Sequence, residues 1–236
     1  MTKPLPFGNL AVMASRRSPP DGLDDFPTPP WATRALMEIV LPRIGYDRSH
    51  LFGSALEPAC NRGIMAEVLG EYFDNVFASD VWDYGYRPAA GAIVEDYLSA
   101  SYDFAADWII TNPPFNKALE FTLKALDEAR EGVAMLGRLQ WLESEERYDR
   151  LFSRRPPAAI ATFVERVPMH QGRWDPNGGT MTAYAWFVWR LDVDSGETAH
   201  LWIPPGQRTL LTRADDAARF CEPSPAPLLD GLSAQP

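Results

Sequence analysis

Cysteine and histidine are scarce, at two and three in 236 residues. Cys60 and Cys221 cannot build a disulfide framework, and neither they nor the histidines fall into a paired metal-ligand spacing. The sequence therefore predicts neither a covalent staple nor a metal centre. Long apolar runs are missing too. The densest stretch, Ala183 to Trp189, falls far short of the roughly 18 residues of a membrane span, and the first residues lack the apolar core of a secretory leader. These absences predict a soluble, cytoplasmic protein with no membrane partner. Positive charge is the third shortage: 22 Lys and Arg face 32 Asp and Glu, for a formal charge of −10. That balance excludes a generally basic nucleic-acid binder, whose affinity rests on phosphate neutralisation. Only residues 138–190, with eight basic and six acidic side chains, lean positive.

Proline, by contrast, is abundant. Of 22 prolines, seven lie within Met1 to Pro30 and four within Pro223 to Pro236, where they remove the backbone donors that helices and sheets need. The ends are expected to be irregular: an N-terminal arm over residues 1–24 and a mostly irregular C-terminal tail over 206–236, flanking one domain over 25–205. Hydrophobic residues at 46% and charged residues at 23% are ordinary globular proportions and exclude a disordered or fibrous chain.

Within the domain, apolar runs alternate with helical periodicity. Trp31, Ala35, Leu36, Ile39 and Val40 mark a helix that Pro42 should stop. Ser54 to Leu56 reads as a strand ending in Glu57-Pro-Ala-Cys-Asn-Arg-Gly63, and Ile64, Val68, Leu69 and Phe73 mark the helix that follows. Val76 to Asp80 and Asp107 to Thr111 are further buried strands, the second running into Asn112-Pro-Pro-Phe115. Ala118, Phe121, Leu126 and Ala129 suggest another helix, and Gly132 to Leu136 another strand. Later, Ala161 to Val167 and Thr182 to Trp189 flank a polar loop and predict an antiparallel pair at the C-terminal end of the sheet. The pattern is that of an α/β protein: a mostly parallel sheet with helices on both faces and ligands bound beyond the strands' carboxyl ends. Three strands end there in Glu57, Asp80 and Asn112.

The turn Asn112-Pro113-Pro114-Phe115 carries the sharpest chemistry. Two prolines remove two backbone donors, leaving a cluster of acceptors. An aromatic amine is a poor nucleophile because its lone pair is delocalised into the ring. If the Asn112 side-chain oxygen and the Pro113 carbonyl each accept an amine hydrogen, the nitrogen can pyramidalise and aim that pair at an electrophile. Phe115 would stack on the ring, a contact worth about 1–3 kcal/mol.

In these residues the chain resembles the S-adenosylmethionine-dependent amino-methyltransferases, in particular the adenine-N6 DNA methyltransferases with their (Asn/Asp/Ser)-Pro-Pro-aromatic turn. The resemblance covers roughly Phe26 to Phe115. It implies a seven-stranded Rossmann-like sheet, S-adenosylmethionine as cofactor and DNA as partner. By the same resemblance, Glu57, Pro58, Ala59, Asn61 and Gly63 form the turn against the cofactor's methionine part. Asp80 takes the ribose hydroxyls, Val81 packs on the adenine, and Asp96 with Tyr97 meets the adenine amino group. Thr28, in Phe26-Pro-Thr-Pro-Pro30, corresponds to the element that closes over the methionine carboxylate. The chain departs from the family at Asn61, where a glycine normally stands, although asparagine is the non-glycine residue that best accepts a positive φ. The Thr-Pro element precedes the cofactor turn and the catalytic turn follows it, resembling the gamma order of motifs with target recognition last. There, His170, Arg173 and Trp174 are candidates for base contact. The interleaved charges of residues 143–155 read equally as a solvated helix, and Trp82, Trp108, Trp186 and Trp189 as core. Alternative acceptors are adenine in RNA and a protein glutamine amide; a catalytically idle cofactor- or nucleic-acid-binding scaffold is the reading of a different class.

Overall fold

The computed structural model describes residues 23–46, 53–88, 91–102, 105–192 and 196–221. The expected arm lies outside the described residues except for Leu23 and Asp24, as does the tail beyond residue 221.

The sheet has eight strands rather than the expected seven: β1 (Ser54–Glu57), β2 (Asn75–Asp80), β3 (Ile93–Val94), β4 (Trp108–Thr111), β5 (Gly132–Arg138), β6 (Ala159–Phe163), β7 (Tyr184–Arg190) and β8 (Ala199–Ile203). Their lateral order is β3-β2-β1-β4-β5-β7-β6-β8. β3 through β5 in that order are parallel, β7 is antiparallel to both β5 and β6, and β8 is parallel to β6. The expected antiparallel pair is thus β6 with β7, but it does not end the sheet. β8 lies outside it as an edge strand, with Ala199, His200 and Trp202 exposed and Ile203 buried. With so few residues turned inward, β8 has little apolar alternation to betray it; its pairing with β6 supplies what its sequence does not.

Two layers of helix cover the sheet, and the period-two alternation of its strands decides which side chains meet which layer. Trp108 and Ile110 of β4, Ala134 and Leu136 of β5, and Trp186 and Val188 of β7 face one side. They pack there with Trp31 and Ala35 of α1 (Pro30–Ala35), and with Met65 and Leu69 from the helix after β1. Ile109, Val133, Met135, Ala185 and Phe187 face the other side and meet Leu119, Phe121, Ala125 and Leu126. α1 passes through a π-helical turn, Leu36–Val40, into α2 (Leu41–Arg43), so Pro42 sits inside the helix instead of ending it. The π turn loosens the ladder just where proline offers no N–H. α3 (Ile64–Leu69) follows β1, α4 (Ala118–Glu128) follows β4, and a 3-10 turn, Leu139–Leu142, leads from β5 towards α5 (Glu145–Arg147) and a π-helical turn, Tyr148–Phe152. No described helix is long and apolar enough to cross a membrane.

The described part of the expected tail is not irregular. It carries α6 (Gln207–Leu211) and α7 (Asp216–Phe220). The reason is polar and long-range: Arg34 on α1, 1% exposed, donates from Nη1 and Nη2 to the two carboxylate oxygens of Asp216, 0% exposed, at 2.6 and 2.7 Å. Arg34 also donates to Glu71 through Nε at 2.8 Å and Nη2 at 2.9 Å, and to the Leu211 carbonyl at 2.7 Å. One guanidinium thereby ties both C-terminal helices to the first.

Candidate active site

The carboxyl ends of β1, β2 and β4 open onto a cavity of about 480 Å³, within the roughly 300–1,000 Å³ of small-molecule sites. Its wall gathers Thr28, Glu57, Pro58, Ala59, Asn61, Asp80, Val81, Asp96, Tyr97, Asn112, Pro114 and Phe115. Nearly all the candidate cofactor and catalytic residues therefore meet in one place, drawn together by parallel strands that end side by side. Gly63 shapes this wall from behind: at φ +80° a Cβ would lie 2.3 Å from the Tyr86 ring. Asn61, at φ 50°, is the only non-glycine residue with positive φ among the described residues, as its place in the turn requires. Its amide N–H donates to Asp80 Oδ2 at 2.8 Å, so the β1 and β2 turns are fastened to each other.

The acids of the cavity differ in state. Glu57 is buried, with Oε2 unpaired among the described residues. Burial, reinforced by the charge of Asp80, pushes its carboxyl well above the usual range, against the pull of the Ala66 N–H. Burial also raises Asp80, while backbone N–H groups of Asn61, Trp82 and Val81 hold it down. Asp80 is thus bonded on both oxygens, with Trp82 N–H on Oδ1 at 3.1 Å.

The Asn112 amide is fixed in one sense. Nδ2 donates to the Phe26 carbonyl at 3.2 Å and to Met169 Sδ at 3.5 Å, which leaves Oδ1 buried with no hydrogen-bond partner among the described residues. An unsatisfied buried acceptor of this kind costs roughly 1–3 kcal/mol. Lys117 N–H takes the Pro114 carbonyl at 2.9 Å, whereas the Pro113 carbonyl receives no hydrogen bond from the described residues. Pro113 itself is buried and lines a second, smaller cavity instead of the first. Phe115 is held by its N–H on Asp24 Oδ2 at 2.9 Å, and the Arg138 guanidinium lies 4.1 Å from its ring centroid.

The proposed base-contacting residues stand elsewhere. His170, Arg173 and Trp174 do not line the cavity. Trp174 is buried against Phe220 of α7, and His170 and Arg173 bridge each other across a tight loop. That loop reaches the site indirectly, through Met169 on Asn112 and Gly172 N–H on the Asp25 carbonyl. Among the charges after β5, Arg150 pairs with Glu146 and Glu120, and Arg155 with Asp127, so the solvated reading holds for them. Of the tryptophans expected in the core, Trp108, Trp186 and Trp189 are buried, but Trp82, two residues past the end of β2, is 59% exposed. Sequence reasoning missed Asp24, Lys117 and Arg138 on the cavity wall. Only the position of Arg138 at the end of an apolar strand could have signalled it.

Among solved structures, the chain superposes on a protein described as a class I S-adenosylmethionine-dependent methyltransferase from Listeria monocytogenes. The TM-score is 0.53 at 12% identity, over 74% of this chain and 65% of that one. The chain has the class I methyltransferase fold. The same fold is found in the modification subunit of a type I restriction enzyme from Vibrio vulnificus (TM-score 0.51, 16% identity, 82% of this chain and 51% of that one). It is found again in a protein described as an RNA methyltransferase from Pyrococcus horikoshii (0.52, 13%, 71% and 87%). The chain thus spans under two-thirds of the length of the first two. No protein-family model and no curated protein matches the sequence.

Proposed function

We propose that the protein transfers a methyl group from S-adenosylmethionine to the N6 amino group of adenine in DNA. The observation that carries this reading is the unpaired, buried Oδ1 of Asn112 on the wall of a cavity large enough for the cofactor. The residues present fit that cofactor. Glu57 Oε2, also unpaired, is available to a cationic amine, Asp80 to ribose hydroxyls, and Asp96 to an exocyclic amine. Bound there, S-adenosylmethionine would supply a sulfonium methyl carbon to the acceptor nitrogen's lone pair, with the C–S pair returning to sulfur and an amine proton released to water.

The chain's own contribution is position and polarity. Asn112 Oδ1 accepts one amine hydrogen and the Pro113 carbonyl the other, so the nitrogen pyramidalises with its lone pair directed into the cavity. Both acceptors are fixed beforehand, one by Phe26 and Met169 and the other by the proline pair, and need not reorganise as positive charge develops on nitrogen. Phe115 holds the ring plane, and alignment supplies the rest. In a duplex the base must first be extruded, at a cost of a few kcal/mol.

The experiment is to incubate the protein with methyl-labelled S-adenosylmethionine and DNA, RNA or protein, digest the product and identify the methylated group. N6-methyladenine from DNA is the expected product. Label found only on glutamine, or only in RNA, overturns the assignment.

A further inference from the structure

Behind the catalytic turn lies a second cavity of about 190 Å³, between the start of α4 and the end of β5. Two residues, Phe115 and Arg138, line both cavities, and their stacked side chains form the partition between them. Arg138 is unusual among the arginines that the fold draws inward. Arg34, Arg62 and Arg190 each meet a carboxylate, and the half-buried Arg147 and Arg208 donate to backbone carbonyls. Arg138 is half-buried, and among the described residues its buried Nε has no hydrogen-bond partner and its guanidinium makes no ion pair. Its guanidinium lies over the Phe115 ring. In a chain of net charge −10, a partly desolvated and uncompensated guanidinium beside the proposed acceptor site is costly unless an anion completes it.

The cavity behind it has the chemistry of a planar ring. Met135 and Phe187 form an apolar floor, Trp141 offers an aromatic surface, and Gln140 stands exposed at the rim with both amide donors and an acceptor. Its volume is below the roughly 300–1,000 Å³ of sites for whole drug-sized ligands and suits a single heterocycle. Stacking surface with an adjoining cation is the combination that holds unpaired nucleotides.

We propose that Arg138 and this second cavity form the subsite for the nucleotide next to the acceptor adenine, the guanidinium taking the phosphate that links the two and the cavity taking the neighbouring base. The assignment rests on DNA being the substrate. Substrate entry exchanges the Arg138 contact with Phe115 for a charge-assisted bond to phosphate, so the aromatic ring is released to stack on the acceptor only when the phosphate is in place.

The test compares the wild-type protein with Arg138→Gln and Arg138→Lys on a short single-stranded oligonucleotide containing one adenine. The linkages on either side of that adenine are phosphates in one substrate, and each is replaced in turn by an uncharged methylphosphonate in two others. Arg138→Gln is expected to raise KM for the phosphate substrate about tenfold, the scale of one charge-assisted hydrogen bond, with kcat changed far less. Arg138→Lys should recover part of the loss. One of the two methylphosphonates should raise the wild-type KM equally and add nothing in Arg138→Gln. Full penalties that multiply in the variant overturn the inference, as does a variant whose KM equals wild type; in both cases wild-type methylation of DNA would leave the parent reading standing. No transfer to DNA by the wild type overturns both. A drop in kcat and melting temperature without a KM change reduces Arg138 to a structural role and also overturns it.

Discussion

Asp216→Ala is expected to destabilise the protein strongly although the residue lines neither of the two cavities. Its carboxylate is fully buried and receives two short hydrogen bonds from an equally buried Arg34, at 2.6 and 2.7 Å, and the Arg213 N–H at 2.8 Å. Removing one partner of such a pair leaves the other charge uncompensated, which costs about 3–5 kcal/mol. Glu71 and the Leu211 carbonyl still bind Arg34, so the lower end of that range applies, about 3 kcal/mol. For a chain of this size that is a fall in melting temperature of about 6–12 °C. The acid limb supplies an independent check. Burial acts to raise Asp216 and Glu71, but the hydrogen bonds from Arg34, joined by the Arg213 N–H on Asp216, the Arg219 side chain on Glu71 and the surrounding guanidinium charges, together outweigh it and hold both below the usual carboxylate range. A folded-state pKa that is depressed stabilises above the unfolded value, near 4, and that contribution disappears as pH falls through the folded value. Wild-type stability should therefore decline below pH 4, and the decline should be shallower in Asp216→Ala. Thermal melts from pH 7 to pH 3 measure both effects. A variant that melts within 2 °C of wild type at pH 7 would refute the reasoning, and Arg34→Met/Asp216→Leu, which replaces the pair with apolar volume, should recover most of the loss.

Gly63→Ala should cost about 1–3 kcal/mol in urea titrations, because φ +80° disfavours a Cβ that would also meet the Tyr86 ring at 2.3 Å; adding Tyr86→Ala should restore only the steric part. Asp80→Ala should weaken S-adenosylmethionine binding by calorimetry about 10- to 100-fold through loss of a charged acceptor, while KM for DNA stays close to wild type. Asn112→Asp should lose methyl transfer at pH 8, since an ionised carboxylate would face the Phe26 carbonyl that Nδ2 now serves. Its single-turnover rate should rise as pH falls and the acid becomes a donor, and a variant fully active at pH 8 would contradict the fixed amide orientation.

The site was legible in the sequence where its chemistry is local. Glu57 to Gly63, Asp80 and Asn112 to Phe115 each follow an apolar strand, and parallel strands bring their carboxyl ends together, so separate short signals converge on one cavity. Even the positive φ of Asn61 could be read from its place in the turn. What could not be read depends on partners far along the chain. Arg34 and Asp216 are 182 residues apart, and short, mostly exposed helices such as α6 and α7 have no periodicity of their own to show. β8 presents few inward residues for the same reason. Trp174 illustrates the opposite error: an aromatic in a polar loop resembles a binding platform until Phe220, from a segment expected to be irregular, covers it.

That contact also links the C-terminal helices to the proposed catalytic turn, which they do not touch. α7 is held to α1 by Arg34, and its Phe220 packs on Trp174. Arg208 of α6 donates to the carbonyls of Pro176 and Gly178 in the same loop. At the loop's other end Met169 Sδ receives one hydrogen of the Asn112 amide, and the Gly172 N–H binds Asp25, next to the residue that holds Phe115. The orientation of Asn112 is consequently set from two sides, by the Phe26 carbonyl on the N-terminal approach and by a loop whose position depends on the end of the chain. If the amide turned over, Nδ2 would replace Oδ1 as the group left unpaired, and a donor cannot accept an amine hydrogen. Loosening α6 and α7, whose Asp216 lies 182 residues from Arg34 on α1, should therefore lower kcat before it lowers cofactor affinity, because the proposed cofactor residues share no member with that loop.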